Sequence, residues 1–140
     1  MQLSAAESLD RLAAHDHAVL CTLHPDRGPD AVPVVYAVVG DRLAVPVDLV
    51  KPKASLQLQR ERNLEADPRA TLLAEHWDRD DWSQLWWVRA SLRWEPHPED
   101  ALVAVLSRAL AERYPQYADE PFARLIVLRI EAITGWSGTS

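Results

Sequence analysis

Five cations stand close together in the stretch KPKASLQLQRERNLEADPR: Lys51, Lys53, Arg60, Arg62 and Arg69. The chain as a whole carries 15 Lys and Arg against 21 Asp and Glu, a formal net charge of −6. A local gathering of cations in an acidic chain suits a small anionic ligand. The acidic total, with a pI near 5.3, argues against general nucleic-acid binding, because phosphate backbones need a basic face. The spacing predicts a helix over 52–66, with Pro52 at its first position, Lys51 as N-cap and a stop before Pro68. Ammonium groups at that end oppose the helix dipole, by roughly a few tenths of a kcal/mol each, unless an anion sits on the free N–H groups. At about 100° per residue, Lys53 and Arg60 share a face with Leu56 and Leu64, while Arg62 points away. One reading is therefore an anion held by Lys51, Lys53 and Arg60. The other is a solvated helix in which Glu61, Glu65 and Asp67 offset the arginines.

The second chemical pattern is LWWVRASLRW. Trp86, Val88, Ala90, Leu92 and Trp94 alternate with Trp87, Arg89, Ser91 and Arg93, a period of two with one apolar face and one mixed face. A face of tryptophan and guanidinium suits a subunit interface or a flat anionic ligand; a half-exposed strand with its arginines in water is the plainer reading. Trp82, in the acidic run DRDDWS, is a candidate lid. His15 and His17 form H-x-H, but no further ligand stands at metal-site spacing, and His24, His76 and His97 are scattered. No P-loop, G-x-S-x-G or G-x-G-x-x-G occurs. Cys21, on an apolar strand, reads as a small buried hydrophobe.

These residues need a scaffold. At 140 residues the chain is expected to form one domain, 1–140, with a proper core. A lone cysteine and an N-terminus without a long apolar run point to a cytoplasmic setting, and no stretch approaches a membrane span. Ser4 and Glu7 form a capping box opening a helix at 4–15. Strands follow at 17–24, at 30–39 with Pro33 at an edge or bulge, and at 42–47 after a Gly40–Asp41 hairpin turn. Further strands are expected at 69–77, 85–95 and 123–136, with a helix at 98–113. Six strands with hairpin links predict an antiparallel α+β domain built as a small barrel.

Taken with this order of elements, VKPKASLQLQRERNLEADPRATLL and DDWSQLWWVRA resemble the pyridoxamine 5′-phosphate oxidase-like split-barrel superfamily. They are most similar to its branch that uses the deazaflavin coenzyme F420, whose basic helix ends in Arg-Asn-Leu before an Asp-Pro-Arg turn and an apolar strand. The resemblance spans roughly residues 4 to 136 and implies a six-stranded antiparallel split β-barrel with flanking helices, of the FMN-binding split-barrel type, working as a homodimer with its cofactor between subunits. It implies an F420-dependent oxidoreductase that passes a hydride between deazaflavin and a small unsaturated molecule. The implied cofactor contacts are Lys51, Lys53, Arg60 and Asn63 at the anionic end, and Pro33, Val34, Val35, Trp77 and Trp87 along the ring system. Tyr36 is the candidate proton donor if it faces the groove. Flavin-using relatives carry an arginine in the second strand and Ser-Arg-Lys before the helix; VPVVYA and VKPK stand there instead, favouring deazaflavin over FMN. Leu92 replaces an expected glycine in the long strand, which bears on groove width. The alternatives are an FMN-dependent enzyme on the same fold and a non-catalytic protein that binds F420 or haem.

Overall fold

The computed structural model describes residues 1–49 and 57–139. Its elements run α1 (Ala5–Ala14), β1 (Ala18–His24), β2 (Gly28–Val34), β3 (Ala37–Val39), β4 (Arg42–Asp48), α2 (Gln59–Ala66), β5 (Arg69–His76), β6 (Trp86–Trp94), α3 (Asp100–Arg113) and β7 (Phe122–Ser137), with short 3₁₀ turns at Trp82–Gln84 and Pro115–Tyr117. All strand pairs are antiparallel, in the order β2-β1-β5-β6-β7-β4-β3. Among the described residues no hydrogen-bonded ladder joins the two edges. The sheet has seven strands among the described residues, not six, because the apolar run 30–39 breaks at Val35 and Tyr36 into β2 and β3.

That break explains the shape. β2 and β3 lie at opposite edges of the sheet, yet Val34 and Ala37 are only three residues apart in the chain. Three extended residues span at most about 11 Å, so the sheet must curl until its edges nearly meet. The result is a split barrel: strongly curled but not closed, with no ladder across the seam among the described residues.

Local chemistry supports each element. Gly40, at φ 60, carries the two-residue hairpin that pairs Val39 with Arg42. Pro33 stands exposed on edge strand β2, where its missing N–H costs no central ladder bond. The alternation of β6 holds, with Val88, Ala90 and Leu92 buried and Arg89, Ser91 and Arg93 outward. Leu20, Leu43, Leu72, Leu92, Ile126 and Leu128 fill the barrel. β4 is buried on both faces because Leu106 and Leu110 of α3 cover Ala44 and Val127 from outside. Cys21 is a correction: inward positions on β1 go to Ala18, Leu20 and Thr22, which leaves the thiol half-exposed on the outer face.

Two plugs hold the barrel ends. At one end Tyr36 is fully buried, and its hydroxyl donates to Leu12 O at 2.5 Å. Arg113 donates to the next carbonyl, Ala13 O, and lies against the rings of Tyr36 and Tyr114 at 5.1 and 5.4 Å. Leu12 O and Ala13 O belong to the last turn of α1, whose carbonyls lack intrahelical partners, so Tyr36 and Arg113 together cap that helix. Gly135 lets α1 come close: a Cβ there would stand 2.6 Å from Ser8 Oγ. At the other end α2 lies across the seam, and it carries the candidate site.

Candidate functional site

The helix α2 begins at Gln59, not Pro52. Leu58 is extended (φ −78, ψ 157), and its N–H donates to Glu61 Oε1 at 2.9 Å, the reach-back half of a capping box. The helix expected over 52–66 is therefore not continuous, since Leu58 interrupts it. Lys51 and Lys53 lie outside the described residues.

From this start, α2 grips both sides of the seam. Asn63 is fully buried; its Nδ2 donates to Thr22 Oγ1 and Asp30 Oδ2, each at 2.9 Å, and its Oδ1 accepts from Gln59 Nε2 at 2.9 Å. Every polar atom of the Asn63 side chain is thus engaged inside the protein, tying α2 to β1 and β2. On the opposite flank, Arg124 of β7 donates through Nε to Glu61 Oε2 at 2.6 Å and through Nη2 to Oε1. Burial pushes the Glu61 carboxyl up, but the Arg124 bonds and the Leu58 N–H outweigh it, and the net shift is downward. Glu61 stays ionised. Leu64 drops into the barrel core between the two grips.

Arg60 sits between them in a different state. Its Nε is buried and has no hydrogen-bond partner among the described residues. Burial lowers its pKa, with Glu61 and Asp48 pulling it back up, yet a guanidinium remains charged under any ordinary condition. A buried donor on a permanent cation, left unpaired, costs on the order of 1–3 kcal/mol, so an anion reaching it gains that much. Arg62, by contrast, is exposed and spent locally, donating to Gln57 O at 2.9 Å and Gln59 Oε1 at 2.7 Å.

The remaining sequence candidates stand elsewhere. Pro33, Val34 and Val35 lead into the α1 end of the barrel, with Pro33 exposed, Val34 in the core and Val35 half-buried. Trp87 pairs with Glu75 and Trp136 on the outer face, with Arg89 over its ring at 5.4 Å, and borders a cleft of about 370 Å³ with Leu73, Glu75, Leu85 and Arg89. Trp77 follows β5, 53% exposed, and packs on Trp82 at 5.4 Å. Ala70 of β5 pairs with Thr22 near α2, and His76 lies six residues further on, about 20 Å along a strand. One chain therefore places Arg60 and Asn63 at one barrel end and the tryptophans towards the other.

Tyr36 does not face the groove on which its candidacy depended. Its hydroxyl is locked in the core and burial pushes its pKa up. Tyr36→Phe should leave any turnover unchanged while lowering unfolding free energy by about 1–2 kcal/mol, the cost of stranding Leu12 O. A paired activity and urea-unfolding measurement checks both halves.

A grouping that the sequence scatters appears around Trp86. His15 stacks on His17 at 5.5 Å and meets the Trp86 edge at 4.9 Å, and His76 lies 6.4 Å from the same indole. No group of three or more His, Cys, Asp or Glu side chains that could hold a metal ion occurs among the described residues. Burial, ahead of the neighbouring His17, lowers the His15 pKa from its usual value, with His76 adding to this and Asp16 and the Glu75 backbone opposing it. The unfolded chain then takes up the proton first, so the contribution of His15 to stability is present above the ordinary histidine range, about pH 6.5, and is lost as pH falls through it. His15→Gln should flatten the loss of urea midpoint between about pH 7.5 and 5.5.

Comparison with known proteins agrees with this architecture. A family model described as pyridoxamine 5′-phosphate oxidase matches residues 5–137. No curated protein matches the chain. Among solved structures, a protein from Mesorhizobium loti described as FAD-binding is 20% identical with a TM-score of 0.72, over 96% of this chain and 93% of that one. A conserved hypothetical protein from Mycobacterium tuberculosis is 23% identical with a TM-score of 0.71, over 97% and 86%. The haem storage protein HutZ from Vibrio cholerae is 12% identical with a TM-score of 0.65, over 94% of each chain. At such identities the likeness concerns the fold, but the family model spans almost the whole sequence: the chain belongs to the pyridoxamine 5′-phosphate oxidase family.

Proposed function

We propose that the protein binds a flavin-type cofactor by its anionic end at Arg60, with the deazaflavin F420 preferred over FMN, and acts as an oxidoreductase on a small unsaturated molecule. The single observation that carries this reading is the buried Nε of Arg60, which has no hydrogen-bond partner among the described residues. The preference for deazaflavin rests on VPVVYA in the second-strand region and VKPK before the helix, where flavin-using relatives place arginine and Ser-Arg-Lys. Reduced cofactor, when bound, supplies the hydride; the protein supplies position and electrostatics. Arg60 orients the cofactor far from the reacting carbon, so binding energy there serves alignment. The Arg124–Glu61 pair and Asn63 hold α2, and with it Arg60, in place. The partner is a second copy of the chain: Leu73 and Trp136, each 37% exposed, stand with Trp87 on the outer sheet face and form an apolar surface suited to a homodimer.

A second reading, binding without turnover, is favoured by the burial of Tyr36, which removes the one tyrosine considered as proton donor. HutZ, which shares the fold, is described as a haem storage protein, and a carrier role fits that precedent. The two readings part in one experiment: reduced F420 is mixed with the protein and a panel of enones and quinones, and cofactor oxidation is followed by absorbance. Protein-dependent oxidation supports the reductase. Tight binding without oxidation across the panel supports the carrier.

A further inference from the structure

At the barrel end opposite α2 lies a cleft of about 420 Å³ whose lining includes Arg11, His76, Ser83, Gln84, Trp86 and Thr139. Among the described residues no carboxylate lines it, although acidic residues outnumber basic ones 21 to 15 in the chain. The Arg11 guanidinium lies 5.5 Å from the centroid of the Trp86 ring and makes no ion pair among the described residues. Helix spacing offers it a carboxylate four residues earlier, Glu7, whose Oε1 accepts the Ser4 N–H at 3.1 Å at the N-cap and whose charge attracts Arg11 without forming an ion pair. In the adjoining loop, Asp81 Oδ1 accepts from Ser83 N at 3.1 Å and Ser83 Oγ at 2.6 Å. His76 lies against the same indole and adds a second donor from β5. A permanent cation with no ion pair among the described residues and an imidazole converge on one cleft.

We propose that this cleft binds the phosphate or carboxylate group of a small molecule, with Arg11 as the charged contact and His76 as the second donor. It is separate from the Arg60 site, and neither depends on the other. Charge-assisted hydrogen bonds of this kind change affinity by about tenfold or more when one partner is removed. The test titrates the protein with inorganic phosphate and, in parallel, with acetate, following the Trp86 indole N–H and the His76 imidazole by NMR. The expected result is a saturable shift of both signals with at least one anion. That shift should weaken by about tenfold or more in Arg11→Gln and persist in Arg60→Ala, and in the exposed His76→Gln the remaining Trp86 shift should weaken also. Saturation by phosphate or by acetate identifies the head group. The proposal is overturned if neither anion gives a saturable shift, if Arg11→Gln retains it, or if Arg60→Ala abolishes it, which would place the anion at α2.

Discussion

Asn63→Leu should destabilise the fold by about 2–4 kcal/mol, the largest loss expected from any single polar side chain here. The leucine is close in size but can make neither of the two hydrogen bonds that tie α2 to β1 and β2, nor the one to Gln59 within the helix. It strands the Thr22 hydroxyl, which is 2% exposed, and removes the amide donor that helps hold Asp30 ionised, after Arg27. An unmet buried polar group costs about 1–3 kcal/mol, and here more than one is affected. Asn63→Asp should be at least as severe near neutral pH, because it sets a carboxylate against Asp30. Arg69→Ala supplies the contrast. Its partner Asp67 is held to about pKa 2 by that arginine, yet the pair lies at the surface, where solvent screens it, and should contribute little to stability. Urea midpoints for the three variants test this ordering. Equal losses for Asn63→Leu and Arg69→Ala would mean that α2 is not a clasp.

Arg60→Ala should weaken binding of the anionic cofactor by about 10- to 100-fold, the loss expected for one charge-assisted hydrogen bond formed in a partly buried site. Arg62→Ala should change it by less than about twofold, because that side chain already donates to Gln57 O and Gln59 Oε1 and faces solvent. The two arginines sit two positions apart on one short helix, so net charge and helix propensity change alike. Only the placement of the guanidinium differs. Arg60→Ala should not destabilise the free protein, since the substitution removes a buried donor that has no partner among the described residues. A variant that binds poorly and yet unfolds no earlier is the signature of a group kept for a ligand.

Much of the scaffold was legible in the sequence because periodicity is a local property. The alternation through Trp86–Trp94, the capping box at Ser4 and Glu7, and the Gly40–Asp41 hairpin all appear where their residues require them. What was not legible depends on partners far along the chain. The run DAVPVVYAVV is apolar after Asp30, so nothing in it marks the corner at Val35 and Tyr36; the corner exists because β2 and β3 pair at opposite edges of the sheet. The start of α2 was misplaced although a usable signal was present, with Glu61 three residues after Leu58. Arg60 was found from charge pattern, but the argument that joined it to Lys53 needed a continuous helix that Leu58 interrupts. Asn63 was grouped with the cofactor contacts, whereas its partners Thr22 and Asp30 lie 41 and 33 residues away and become visible only in the fold. The histidines around Trp86 are dispersed at 15, 17 and 76, so no spacing rule could have gathered them.

The central claim is that Arg60 receives the anionic end of a deazaflavin cofactor. A parallel fluorescence titration of ligand-free protein with F420 and with FMN, repeated in Arg60→Ala, tests it most directly. The account predicts saturable binding of F420, weaker binding of FMN, and a loss of about tenfold or more for F420 in the variant. Tighter binding of FMN, or F420 affinity unchanged by Arg60→Ala, would contradict it.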